Sequence, residues 1–295
     1  MKLKEKTEWL WQKYHFTPKK DLGQHFLIDP LILDRIVKSL HLKRYDEVLE
    51  IGAGTGTLTE RLAQEGTKLV AVEVDEALCQ ILREELKDYP NVKIICEDIS
   101  QFSLEEQFKG PFKVVGNLPY QIASSLLLDL IKKENVGLLV VMVQREVAER
   151  LLSPPGCKKR GILTVLMQHY ALIEKIIDAP SHAFIPPPRV ASSLLRIERR
   201  KIHSSEEDQV IFRVVKAAFS SRRRMLINAL SGALKKDKNF LRKKLEEAGI
   251  DEKLRAEDLA EEDFLKLSRV LREGTFPPKY LKGVELAHSH HRMAK

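Results

Sequence analysis

Between residues 48 and 152, short apolar runs alternate with segments of helical period. That alternation narrows the choice of fold more than any other feature. Val48-Leu-Glu-Ile51 precedes a helical pattern over 57–65, and the run 69–74 precedes another over 76–87. Residues 92–96 lead through Phe102 to a further run at 112–115 and a helix over 124–132. The fully apolar run 137–143 is followed by a helix over 144–152. Strands linked by crossover helices build a parallel, doubly wound α/β sheet covered on both faces. Leu31, Leu33, Ile36, Val37 and Leu40 share one face of a helix that starts at Asp29-Pro30. Residues 165–170, 171–177 and 193–197 are expected to be further strands, closing the sheet as an antiparallel edge.

After Arg200 the period is helical only, with helices expected over 206–219, 222–234, 238–248 and 259–271, and Gly249 ending the third. The expected organisation is therefore an N-terminal arm (1–20), a sheet domain (21–202), a smaller all-helical domain (203–273) and a disordered tail (274–295). The arm carries Trp9, Trp11, Tyr14 and Phe16 among polar residues and reads equally as a helix or a loose segment. His288, His290 and His291 read as part of a mobile tail rather than a metal site.

Composition excludes several classes. With 295 residues, 43% apolar and 31% charged, the chain is neither disordered nor a multi-span membrane protein. Its longest strongly apolar run, 137–143, is too short to cross a bilayer, and the start Met1-Lys2-Leu3-Lys4-Glu5-Lys6 lacks the apolar stretch of a signal peptide. Three cysteines, Cys79, Cys96 and Cys157, are too few and too far apart for a disulfide framework or a cysteine zinc site. Cys79 and Cys96 are expected as small core residues, and the protein as soluble and cytoplasmic. Lys and Arg number 50 against 42 Asp and Glu, a net +8. Residues 201–244 alone hold 12 basic and 4 acidic residues, an excess of eight, whereas 245–273 hold 5 basic and 10 acidic. A concentrated excess of this kind suits a polyanionic partner.

Glu50-Ile-Gly52-Ala-Gly54-Thr-Gly56 lies between the first strand and its helix. Glycines there permit a sharp turn and let a ligand approach the backbone at a helix N-terminus. The spacing is G-x-G-x-G, one residue shorter than the dinucleotide fingerprint. Glu73 ends the second strand, 21 residues after Gly52, where an acid can accept both hydroxyls of a ribose. Asp98 follows the third strand at the same edge. Together they point to a ligand with a ribose and a purine, with or without a pyrophosphate.

Gly116-Asn117-Leu118-Pro119-Tyr120 follows the fourth strand. As structure it is a turn; as chemistry it suits the exocyclic amine of adenine. That amine is a poor nucleophile because its lone pair is delocalised into the ring. The Asn117 side-chain carbonyl and a main-chain carbonyl of Leu118 or Pro119 can accept its two N–H groups and turn the lone pair outward. Tyr120 can stack on the base and hold it in line.

Here the sequence resembles the ribosomal small-subunit RNA adenine dimethyltransferases, within the S-adenosylmethionine-dependent adenine-N6 methyltransferases. The resemblance runs from about residue 22 to 264 and rests on an ordered set of motifs. They are Leu22-Gly-Gln-His-Phe-Leu27, the glycine loop, Asn117-Leu-Pro-Tyr120, Val143-Gln-Arg-Glu-Val-Ala-Glu-Arg150, Phe184-Ile-Pro-Pro-Pro-Arg-Val190 and Ala218-Phe-Ser-Ser-Arg-Arg-Arg224. It implies a Rossmann-like methyltransferase fold and S-adenosylmethionine as methyl donor, with no metal. His25 and Leu27 would close over that cofactor, Gly52 and Gly54 would lie against its methionine part, and Glu73 would take its ribose. Asp98 would meet its adenine amine, and Asn117 would sit where cofactor and target amine converge. Phe184 matches an aromatic that sandwiches the target base opposite Tyr120, and it reads equally as a hydrophobic plug beside Pro186-Pro-Pro188. The sequence departs from the family pattern at His25 (commonly Asn), at Ala191 (commonly Asp) and at Arg160, where a Tyr usually precedes Gly161.

The implied substrate is 16S rRNA in immature 30S particles, dimethylated at two adjacent adenines near its 3′ end by a monomeric enzyme with a role in ribosome biogenesis. Arg222, Arg223 and Arg224, heading a helix, are expected to contact phosphates, which position RNA without reading bases. The alternatives are a 23S rRNA methyltransferase of the antibiotic-resistance type, a DNA adenine methyltransferase, and an RNA-binding assembly factor with vestigial catalysis. Leu118, where the resistance group usually has Ile, and the basic helical C-terminal region stand against the first. Motifs matching RNA enzymes at both ends stand against the second, and the intact glycine loop with Glu73, Asp98, Asn117 and Tyr120 against the third.

Overall fold

A computed structural model describes residues 2–118, 122–200, 205–271 and Phe276. The boundary near residue 203, Pro119, Tyr120 and the expected disordered tail lie outside the described residues, except that Phe276 of the tail is described and buried. The chain divides into two compact units, Met1–Leu152 with Tyr170–Arg200 and Ser153–His169 with Lys201–Lys295.

The first unit begins with α1 (Leu3–Lys13), β1 (Phe26–Leu27) and α2 (Pro30–Ser39). Then come β2 (Glu47–Ile51), α3 (Thr57–Ala63), β3 (Lys68–Glu73), α4 (Glu76–Glu85), β4 (Val92–Cys96) and the one-turn α5 (Leu104–Gln107). β5 (Phe112–Asn117), α6 (Ala123–Lys132), β6 (Val136–Gln144) and α7 (Arg145–Leu151) complete the alternating series. α8 (Ile162–Tyr170) leads into β7 (Ala171–Ala179), β8 (Phe184–Ile185) and β9 (Ser192–Arg199). Seven strands form one sheet in the order β4-β3-β2-β5-β6-β9-β7, parallel except at β9 and β7. The short β1 and β8 pair separately and antiparallel. This is the expected doubly wound sheet with an antiparallel edge. Helices cover both faces, so the central strands bury consecutive apolar residues such as Val48-Leu49, Val114-Val115 and Leu139-Val140-Val141.

Local sequence explains where the helices start. Asp29 accepts hydrogen bonds from the Leu31 and Ile32 amides, with Pro30 in the first turn of α2. Asp75 caps α4 through the Ala77 amide. The N-terminal residues are a packed helix, since Leu10 and Phe16 are buried with Phe26, Leu78 and Ile81.

Three expectations are corrected. Residues 165–170 are helical rather than extended, because Val165, Leu166 and Met167 are all fully buried. His169 and Tyr170 are buried as well, so polar residues there mark no solvent face and the run carries no clear period to separate helix from strand. Cys79 and Cys96 form a disulfide with Cα atoms 5.8 Å apart, since α4 packs back along β4. Residues 153–169 belong with the helical unit rather than with the sheet. Arg160, fully buried, ties them there by donating to the carbonyls of Leu259 (3.1 Å) and Ser153 (2.8 Å) and to Gln168 Oε1 (2.7 Å).

In that unit α9 (Ser205–Ala218), α10 (Leu226–Leu234), α11 (Lys238–Glu247) and α12 (Glu261–Val270) pack around Leu230, Leu241, Leu245, Phe264 and Leu267. His169, buried, lies between Asp208 (3.2 Å) and Glu261 (3.0 Å). Burial opposes its charge, but the hydrogen bonds its ring nitrogens donate to the two carboxylates prevail and raise its pKa to about 9. The folded-state value exceeds the unfolded one, so this stabilisation is full below about pH 6.5 and disappears as pH rises through about 9. Denaturant unfolding of the wild type should therefore lose up to about 3 kcal/mol between pH 6 and 9.5 beyond the loss seen in His169→Gln. Equal losses in the two proteins would show that the imidazolium contributes nothing.

Candidate active site

Parallel strands in register end together, and four of them end here. Ile51 pairs with both Val72 and Gly116, Glu73 with Cys96, and Asn117 with Met142. The chain segments leaving β2, β3, β4 and β5 therefore surround one cavity of about 380 Å³ at the carboxyl edge of the sheet. This is the usual ligand position in such folds. Gly116 has a purely steric role. A side chain there would collide with the Ile51 carbonyl, so a larger residue would separate β5 from β2.

Gly52, Gly54 and Gly56 all have left-handed backbone (φ +73°, +59° and +84°), which lets the loop turn back into α3. At Gly54 a Cβ would press on the Phe26 ring at 3.1 Å, so the loop and β1 are in close contact. Glu73 is buried and joined to this loop. Its Oε2 accepts from the Gly54 amide (2.9 Å), and its Oε1 from the amides of Val74 (2.9 Å) and Asp75 (3.1 Å). Burial raises its pKa, and the three amides act against that rise. Asp98 is exposed on the cavity wall with Oδ1 accepting from the Ser100 amide at 2.8 Å.

Asn117 lies beside the loop on the cavity wall, its main-chain carbonyl close to Gly52. Its Nδ2 donates to the His25 carbonyl at 3.1 Å, which leaves its buried Oδ1 without a partner. His25 Nδ1 lies 2.7 Å from the Pro186 carbonyl. Leu118 is buried, its amide donating to the Met142 carbonyl at 3.1 Å. Phe184 pairs with Leu27 across β8 and β1, is 3% exposed, and belongs both to the core and to the cavity wall. Of the residues expected at the site, His25, Leu27, Gly52, Gly54, Glu73, Asp98, Asn117, Leu118 and Phe184 all line this cavity.

Sequence reasoning missed two participants. Glu50 is 1% exposed on the cavity wall, with Oε2 unpartnered. Burial raises its pKa to about 8, Thr59 works against the rise, and the Glu73 charge adds to it. Its position at the head of the glycine motif was the available signal. Asp75 is the other; its distance from the motifs hid its connection to Lys19 and Gln24. No His/Cys/Asp/Glu group suited to a metal ion is present among the described residues.

The three arginines differ. α10 starts at Leu226, so they precede the helix in a turn rather than head it. Arg222 donates to the carbonyls of Lys158 (2.6 Å) and Arg160 (2.8 Å) and pairs with Glu257 at 3.2 Å. Arg223 and Arg224 are exposed. Part of the basic excess is neutralised locally, by Glu252 at Arg242 and by Glu247 at Lys244.

Comparison with known proteins agrees with this geometry. A family model described as ribosomal RNA adenine dimethylase matches residues 15–273. Ribosomal RNA small subunit methyltransferase A of Clostridioides difficile (strain 630) is 39% identical over 269 residues, covering 88% of this chain and 93% of that one. The protein of the same name from Alkaliphilus oremlandii is 40% identical over 270 residues, covering 88% and 94%. Among solved structures, a dimethyladenosine transferase from Plasmodium falciparum matches with TM-score 0.71 and 27% identity, covering 82% of this chain and 96% of that one. The 23S rRNA methyltransferase ErmE matches with TM-score 0.69 and 25% identity, covering 83% and 99%. No helix among the described residues is long and apolar enough to cross a membrane. The chain has the Rossmann-like methyltransferase fold and belongs to the ribosomal RNA adenine dimethylase family, whose members methylate adenine in ribosomal RNA.

Proposed function

We propose that the chain dimethylates the N6 amines of two adjacent adenines near the 3′ end of 16S rRNA, acting as a cytoplasmic monomer on immature 30S particles. The observation that carries the reading is the buried, unpartnered Asn117 Oδ1 on the wall of a cavity built by the glycine loop. A buried acceptor left unpaired is costly unless a ligand supplies the donor. An adenine amine has the N–H to do so. The side-chain orientation is already fixed, because Nδ2 is held by the His25 carbonyl.

S-adenosylmethionine, when bound, supplies a methyl group made electrophilic by its sulfonium. The residues present fit it. Glu73 keeps lone pairs for a ribose, Asp98 stands exposed for an adenine amine, and the unpartnered Glu50 Oε2 suits a cationic donor. Gly52 and Gly54 line the cavity without side chains, and His25 and Leu27 line it as well. Asn117 Oδ1 and a main-chain carbonyl of Leu118 or Pro119 hold the target amine and weaken the conjugation of its lone pair with the ring. Tyr120 stacks on the base, and Phe184 bounds the pocket. The target base enters unpaired, since a stacked base cannot reach a cavity at the sheet edge. No strong base is required, because the amine becomes acidic once it bears positive charge.

The small-subunit reading is supported by 39–40% identity to small-subunit relatives, against 25% to ErmE. Purified protein with labelled S-adenosylmethionine should label immature 30S particles, and mass-spectrometric mapping should find dimethyladenosine at two adjacent positions. Label confined to large-subunit RNA or DNA would reject this substrate. Asn117→Ala should lower kcat by at least about 100-fold, roughly the loss of one positioned polar group in a transition state. RNA binding, measured by filter retention, should remain; turnover within a fewfold of wild type would remove Asn117 from its role.

Of the three arginines, Arg223 and Arg224 are the ones offered to phosphate, being exposed where Arg222 is engaged by main-chain carbonyls. Exchanging both for Glu should weaken RNA binding by about tenfold or more and reduce the slope of log K against log salt by about 1.5–2. Cofactor affinity should be unaffected. Arg222→Glu should instead lower the thermal midpoint, because its guanidinium serves the Lys158 and Arg160 carbonyls. Loss of RNA affinity only at Arg222 would invert this assignment.

A further inference from the structure

Residues 19–27 cross the cavity as a strap, with Lys20, Leu22 and Gln24 among its lining. On the far side the strap is held by Asn117 Nδ2 at the His25 carbonyl and by the contact between His25 and Pro186. Its near side is held by one carboxylate. Asp75 Oδ1 accepts from Lys19 Nζ at 2.9 Å, and Oδ2 accepts from Gln24 Nε2 at 2.8 Å. Gln24 Oε1 in turn accepts from the Lys19 amide at 2.7 Å, which closes a ring of three residues. The Asp75 side chain is fully buried under this ring, whereas Lys19 is 55% exposed. The same residue reaches the ligand side of the cavity, since its amide donates to Glu73 Oε1.

The strap also has a fixed support. Phe26, which presses on Gly54, packs edge-on against Trp11 (5.5 Å) and Phe16 (6.0 Å). α1 is secured to the sheet domain by Lys6 on Glu60 and by Lys13 and Tyr14 on Glu85. This helix lies ahead of the residue at which the family match begins.

We propose that Asp75 is a positioning residue for the cofactor. Through Lys19 and Gln24 it clamps the strap across the cavity, and through its amide it fixes Glu73 beneath the strap. The proposal rests on the cofactor reading above. The clamp holds the strap in place before the ligand arrives, so less ordering is left to be done on binding. Its contribution appears in cofactor affinity and residence time rather than in the chemical step, because Lys19 and Gln24 hold the strap rather than the transferring group.

The test combines two measurements on the full chain. Hydrogen exchange without ligand should show protected amides over residues 19–27 in the wild type. That protection should be lost in the Lys19→Met/Gln24→Ala double variant, with the amides of β2, β3 and β5 unchanged. Calorimetric titration with S-adenosylmethionine should show the dissociation constant raised about tenfold, equal to about 1.4 kcal/mol, while kcat at saturating cofactor stays within about twofold. Lys19→Arg should restore affinity in the Lys19 position, and Asp75→Asn, which retains a helix-capping oxygen, should behave like the double variant. Unchanged affinity in the double variant with normal binding by the wild type overturns the clamp alone. A fall in kcat without a change in affinity, or exchange spread through the whole sheet, also overturns it. If the wild type binds no S-adenosylmethionine, the cofactor reading falls and the clamp falls with it.

Discussion

The site depends on the registered parallel pairing of β2 between β3 and β5, and on the absence of a side chain at Gly116. Ile51 stands opposite Val72 on one side and Gly116 on the other. With β2 and β5 this close, the turn after β2 and the Asn117 segment lie side by side on the wall of a single cavity. Glu73 then reaches the loop directly, joining the ends of β3 and β2 through the Gly54 amide. A separation of one strand by a side chain would disperse all of these groups at once. The placement of the glycine loop, Glu73 and Asn117 around one cavity thus follows from one packing constraint.

Electrostatics in the cavity is governed by burial. Glu50 and Glu73 lie close together away from water, and burial is the principal cause of the rise in both pKa values. Backbone amides offset much of the cost at Glu73, whereas Glu50 has only Thr59 to oppose it. One acid is thereby set as a fixed acceptor and the other is left to respond to what binds. Asp75 is in a different position, with a cation and an amide on its two oxygens and a pKa held down by them against its own burial.

The helical unit shows the limits of counting charges. Its basic excess was visible as composition, but the acidic stretch that follows folds back on part of it through Glu247, Glu252 and Glu257. Arg222 lies beside Arg223 in sequence and looks equivalent to it, yet its guanidinium is engaged by the carbonyls of Lys158 and Arg160. Buried Arg160 likewise serves as a tie between segments far apart in the chain. Which arginine is taken up by the fold depends on carbonyl groups distant in sequence, at Lys158 and Arg160 for Arg222 and at Leu259 for Arg160.

The sequence by itself determined the parallel sheet, its antiparallel edge and the row of strand-end residues that line the cavity. Those features follow from local period, turn chemistry and the rule that strands in register finish together. It did not determine that residues 165–170 are helical, because a segment buried on every side has no polar face to reveal its period. The Cys79–Cys96 bond was hidden as well, since α4 has to pack back along β4 before the two sulfurs meet. Tertiary structure also decided that Asn117 Oδ1 is left unpaired while Nδ2 is held, and that Asp75 gathers Lys19 and Gln24 from more than 50 residues away. Partners chosen at such separations depend on how elements pack, and packing is a property of the assembled fold rather than of any window of sequence.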